Sequence, residues 1–172
     1  MRQIIKLSAT LSAILLSIML IIPSCKKDDS KPAYQKTWVI DMGIAKACYK
    51  FDESGILHAG VCIDEEMITN IHGMPTDDLS QEDKNFINNL KIGEYICMTG
   101  VYVVLPGSND NEGTFVCTSE GITTTIQYKM LSSTSIQLIS KKEEQNLICT
   151  AMDVTVKDIP KSLSELYNYI LK

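Results

Sequence analysis

Five cysteines in the body of the chain, two histidines and a few acidic clusters are the residues with chemistry to offer. Cys48, Cys62, Cys97, Cys117 and Cys149 form the first group, while Cys25 stands apart near the N-terminus. An odd number of body thiols leaves at least one outside any intrachain disulfide. A nucleophilic thiol needs a cation or base beside it, and Lys46 is the cation expected opposite Cys62. The simpler expectation is a small hydrophobe used five times. His58 is expected on a solvated strand face beside Lys50. His72 follows Asp64-Glu65-Glu66 in a Gly- and Pro-containing stretch. Those ligand types suit a metal, but the spacing matches no ligand pattern, and a solvated loop is expected. Asn109-Asp110-Asn111-Glu112-Gly113 lacks the alternate spacing and terminal glutamate of a calcium loop, so it reads as a turn. No phosphate loop, dinucleotide fingerprint or nucleophile elbow occurs. The expectation is no enzyme, no cofactor and no metal.

The elements that must position these residues are mostly strands. Short runs rich in Val, Ile, Thr and Tyr recur between Gly, Asn, Asp and Ser clusters from Thr37 to Val156. The strongest signal is Ile44 to Asp64, two alternating runs around Asp52-Glu53-Ser54-Gly55. A type I turn with a bulge and a left-handed Gly55 pairs Phe51 with Leu57, Tyr49 with Ala59, Ala47 with Val61 and Ala45 with Ile63. One face is then wholly apolar. A slip of one residue would mix the faces, so the agreement fixes the register. Further strands are expected at Glu94–Leu105, Gly113–Thr118, Ile122–Met130, Ser135–Ser140 and Asn146–Met152. With the run around Trp38 this makes seven or eight, joined mainly by hairpins. A short helix is expected at Ser80–Leu90. A C-terminal amphipathic helix is expected from Ser162, with Leu163, Leu166, Tyr167 and Ile170 on one face.

A hairpin-joined meander of this size removes its exposed edges by closing. The fold class is therefore all-β and antiparallel, a barrel of seven or eight strands, with a distorted barrel or two-sheet sandwich as the alternative. Trp38 on the first strand, Tyr49-Lys50-Phe51-Asp52, Gly55 and Leu57, then successive strands and a last helix, resemble bacterial lipocalin-like domains. The resemblance spans most of residues 37–172.

The chain has 172 residues, 45% of them hydrophobic and 22% charged, with a formal net charge of −5. That is one domain, too apolar for a disordered chain and too acidic for a nucleic-acid footprint. Arg2 and Lys6, the apolar run Leu7–Ile22, and Ser24-Cys25 have the layout of an export signal. Ile22-Pro23-Ser24-Cys25 resembles the lipobox of bacterial lipoproteins, which implies lipidation of Cys25 after removal of residues 1–24. A retained membrane anchor is the alternative. Lys26-Lys27-Asp28-Asp29 resembles the surface-export signal of Bacteroidota lipoproteins. It implies an outer-membrane lipoprotein at the cell surface, with the periplasmic face as the alternative. Residues 25–36 read as tether, and 37–172 as the lipocalin-like β domain. Without Arg2 and Lys6 the chain keeps 14 basic and 21 acidic residues, net −7.

Two functions compete. The first is a lipid-anchored binding protein that holds a small apolar ligand inside the barrel. Tyr49, Phe51, Leu57, Ala59, Val61 and Ile63, with Ile126, Tyr128 and Met130, would line the site. The small residues Ala45, Ala47 and Ala59 favour an open interior. The second is a surface interaction protein with a solid core, meeting a protein or glycan through residues 65–91 and 106–112. A cavity below roughly 300 Å³ would remove the basis of the first.

Overall fold

The computed structural model describes residues 31–140 and 145–164. Eight antiparallel strands run in sequence order around a closed barrel: β1 (Thr37–Asp41), β2 (Lys46–Phe51), β3 (Ile56–Cys62), β4 (Tyr95–Pro106), β5 (Glu112–Ser119), β6 (Ile122–Ser132), β7 (Ser135–Ser140) and β8 (Gln145–Ala151). Each pairs with the next, and β1 pairs with β8 through Trp38 and Ala151 to close the ring. The barrel prevails over the sandwich. A ninth strand, β9 (Val156–Asp158), adds in parallel to the start of β4, Tyr95 opposite Val156.

The first hairpin follows from its turn. Asp52 Oδ1 accepts from the amides of Ser54 and Ile56 at 2.9 and 2.8 Å, and Gly55 takes φ +82°. Phe51 then faces Leu57, Tyr49 faces Ala59 and Ala47 faces Val61. The expected register holds. Ala45 and Ile63 fall outside the β2–β3 ladder, and Ile63 packs with the helices instead.

Residues 65–91 are more ordered than expected. Two helices fill them, α1 (Glu65–His72) and α2 (Gln81–Asn88). Asp64 caps α1 by accepting from the Met67 amide at 2.8 Å, and acids in its first turn suit the helix dipole. The Asp64-Glu65-Glu66 cluster therefore starts a helix and His72 ends it, which corrects the loop reading. Ser80 caps α2, its Oγ accepting from the Asp83 amide at 3.1 Å and donating to Asp83 Oδ2 at 2.7 Å. Ile71 and Ile87 bury with Ile63, Leu90, Ile96 and Leu163 in a core separate from that of the barrel.

The barrel core gathers Trp38, Phe51, Leu57, Tyr102, Phe115, Cys117, Tyr128, Ile136, Leu138 and Cys149. Tyr34, expected in the tether, packs against it, so the folded body begins before β1. Lys161–Leu163 form a 3-10 turn. Ser162 donates to Asp83 Oδ1 at 2.6 Å, tying this turn to α2. The remainder of the expected C-terminal helix, with Leu166, Tyr167 and Ile170, lies outside the described residues. So do residues 1–24, Cys25 and the Lys-Lys-Asp-Asp stretch.

Candidate functional site

Of the side chains expected to line a ligand cavity, Tyr49, Phe51, Leu57, Ala59, Ile126, Tyr128 and Met130 gather in the barrel core and fill it, while Ile63 packs with the helices instead. Phe51 stacks on Phe115 with ring centroids 4.0 Å apart, and Phe115 stacks on Tyr128 at 4.4 Å. Tyr102 meets the edge of this stack, its hydroxyl donating to the Asp52 carbonyl at 2.6 Å. Tyr34 closes on it, 5.4 Å from Phe115 and 5.5 Å from Tyr128. The Trp38 indole donates to the Tyr34 carbonyl at 2.8 Å and holds that plug in place. Each aromatic pair adds about 0.5–1.5 kcal/mol beyond its burial, so the stack is a core rather than a lining. Leu57 and Val61 are buried, while Ala59, Ile126 and Met130 pack against the same cluster. Tyr49 and Ile126 do share a cavity with Leu138 and Leu147, of only about 30 Å³. That is room for water and little else. Beside Ala59 the space is taken by rings from β5, β6 and the segment before β1, and Ala45 borders an outer cleft rather than the interior.

The outer surface holds the larger space. Beyond Val101, opposite Thr118, β5 no longer covers the edge of β4, while β9 covers only Tyr95 to Cys97. The gap at Met98–Gly100 opens a cleft of about 620 Å³, within the size range of binding sites. Ile56, Met98, Val101, Ile159 and Pro160 supply its apolar wall; His58, Thr99, Ser119, Glu120, Asp158, Lys161 and Ser164 supply polar groups. Ser119 donates to the Thr99 carbonyl at 3.1 Å across the gap. Beside the cleft, alternate residues of β4 point outward uncovered. Val101 and Val103 are each 61% exposed and Leu105 is 53% exposed, with Val116 paired to Val103 on the next strand.

His58 lies in the wall of this cleft and corrects the expectation of a solvated residue. Its Nδ1 is 2.6 Å from Asp158 Oδ1 and its Nε2 is 3.5 Å from Asp52 Oδ2. Nδ1 is thus held by the Asp158 carboxylate, while Nε2 lies within ion-pair range of Asp52. Burial pushes the Asp52 carboxyl up, but hydrogen bonds from Ile56, Ser54 and His58 outweigh it and hold the group below the usual range.

Around Cys48, His58 and Gly60 the outer face of β2 and β3 is likewise covered, while Lys46 at its end stays exposed. Cys48 and Cys97 are fully buried with Val39 and Tyr95 under Val154 and Val156. Lys46 pairs with Asp41 at 3.7 Å. Burial, the largest influence on Cys62, raises its thiol despite a hydrogen bond with Tyr95 and the charge of Lys46. Burial also pushes Cys117 and Cys149 up to about 11. No group of three or more metal-ligating side chains assembles among the described residues.

Sequence reasoning missed the cleft and the β4 stripe. The signal was there in Val101-Tyr102-Val103-Val104-Leu105, an unbroken apolar run where a half-solvated antiparallel strand should alternate. The β9 cover left no such mark, being three residues long. In comparisons with known proteins the chain matches no family model, no curated protein and no solved structure.

Proposed function

We propose that this is a lipid-anchored envelope protein with a solid barrel core, which docks a protein partner on the outer face of β4 and the adjoining cleft. The observation that carries the reading is the contrast between about 30 Å³ inside the barrel and about 620 Å³ outside it. Val101, Val103 and Leu105 supply apolar area next to a cleft able to receive a side chain or an extended segment. Such a patch beside polar rim groups is typical of protein docking sites. A glycan would call for exposed aromatic rings, whereas Tyr102 and Tyr128 are spent on the core and Tyr34 on its plug. The docking surface is a strand face rather than the segment 65–91, which is folded onto its own core; residues 106–111 stay exposed at the end of that strand. Anchoring through Cys25, display at the cell surface and kinship with lipocalin-like lipoproteins rest on the sequence resemblances and belong to the same proposal.

The test is a photo-crosslinking residue placed at Val103 in the full chain, in cells that make it, with Thr125 on the outer face of β6 as the control. A discrete adduct from position 103, absent from 125, weakened by Val101→Glu and moved from membrane to soluble fraction by Cys25→Ala, is expected. No adduct from 103, or equal adducts from both positions, would overturn the docking face. Membrane retention of Cys25→Ala would instead favour an uncleaved anchor.

A further inference from the structure

Two sulfurs meet on the outside of this barrel across an intervening strand. Cys48 on β2 is paired with Gly60 on β3, and Gly60 with Cys97 on β4. Side chains two strands apart are normally separated by the one between them. Here that residue has none, and the Sγ atoms of Cys48 and Cys97 lie 3.5 Å apart. A Cβ on Gly60 would collide with Cys97 Sγ and the Ile96 carbonyl, so the glycine is what permits the meeting.

We propose that Cys48 and Cys97 are a redox-responsive dithiol, converted to a disulfide by exchange with an external disulfide when β9 lifts. The two sulfurs have about 1.5 Å to travel to bonding distance, and β2 and β4, each paired to β3 between them, must draw together to let them bond. The cover over the sulfurs is short, as β9 holds β4 over three residue pairs; lifting it means breaking the Lys157–Glu94 and Asp158–His58 contacts as well, a local opening that still costs less than global unfolding. The roles of the pair are unequal. The contact with Cys97, in which either sulfur can donate, lowers the Cys48 thiol against the opposing effect of burial, helped by a backbone hydrogen bond at Gly60 and the charge of Lys50, while the same contact and burial raise Cys97. Cys48 therefore gives up its proton and attacks the incoming disulfide, forming a mixed disulfide and releasing one thiol. Cys97 then loses its proton and attacks the Cys48 sulfur, releasing the second thiol. Two protein thiols are oxidised, one external disulfide is reduced to two thiols, and the two protons leave with them. Inside the barrel, Cys117 and Cys149 lie in the aromatic core, away from this cover. The inference is independent of the docking proposal.

The experiment incubates the purified full chain with oxidised glutathione at mildly alkaline pH, then alkylates free thiols and maps peptides by mass spectrometry. A Cys48–Cys97 crosslink is expected, with a mass loss of about 2 Da for the pair. Cys97→Ser should stop the reaction at a glutathione adduct on Cys48, and a Cys117→Ser/Cys149→Ser double variant should still form the crosslink. Retention of both thiols in the wild-type chain, or a crosslink mapped to another pair, would overturn the proposal without touching the docking face.

Discussion

Gly55 carries the hairpin because its φ of +82° lies where a side chain with a Cβ is strained. A β-branched side chain would suffer most, and the Tyr102 carbonyl already stands 3.4 Å from where that Cβ would sit. Gly55→Val should lower stability by roughly 1–2 kcal/mol or more. Ser54→Ala loses one exposed bond to Asp52 and should cost only about 0.5 kcal/mol. Equal urea midpoints for the two variants would contradict the turn. Two carboxyls give the fold an acid limit. Ser162 and Ser80 hold Asp83 below the usual carboxylate range, and Asp52 is held low by its turn. A carboxyl lowered by folding stabilises fully above its unfolded pKa near 4 and loses that effect as pH falls through its folded value. Stability should therefore drop below about pH 4. An Asp52→Asn/Asp83→Asn variant should be weaker at pH 7 and show a shallower drop. Parallel curves for variant and wild type would exclude these groups. At this scale Gly55 could be read from the sequence. Asp83 could not, since its partner Ser162 lies 79 positions away.

Among the elements, strands were readable because alternation is written locally, and Ser135–Ser140 falls where expected. What lies over a strand is not local. His58, Cys48 and Cys62 share the outward face that the pattern predicts, yet that face is buried by a strand about 100 positions further along. β9 is stitched there by side chains. Lys157 reaches Glu94 at 2.9 Å and the Asn89 carbonyl at 2.5 Å, at the end of α2, while Asp158 holds His58. Gly60 sits at the tightest point of this packing. Gly60→Ala should cost about 1–3 kcal/mol through crowding of the Ile96 carbonyl and Cys97. A wild-type melting temperature for that variant would show that the strands relax freely, against the close approach described above.

For the whole molecule, the barrel was predictable from a meander that has to close its edges, but its contents were not. Ala47 and Ala59 suggested space. The space is taken by Phe115 from β5 and by Tyr34 from a segment whose composition reads as tether. Volume is a sum over all inward residues, and no hairpin reports it alone. The same balance moves the candidate site outside, to β4 and the cleft left where β5 and β9 part. The most direct test of this is titration of the purified chain with a fluorescent fatty acid at micromolar concentration. A filled interior predicts that no probe binding depends on the barrel, so that Ala59→Leu, which fills it further, changes nothing. Saturable binding near one probe per chain, abolished by Ala59→Leu in a variant that still melts cooperatively, would contradict it and return the ligand to the barrel.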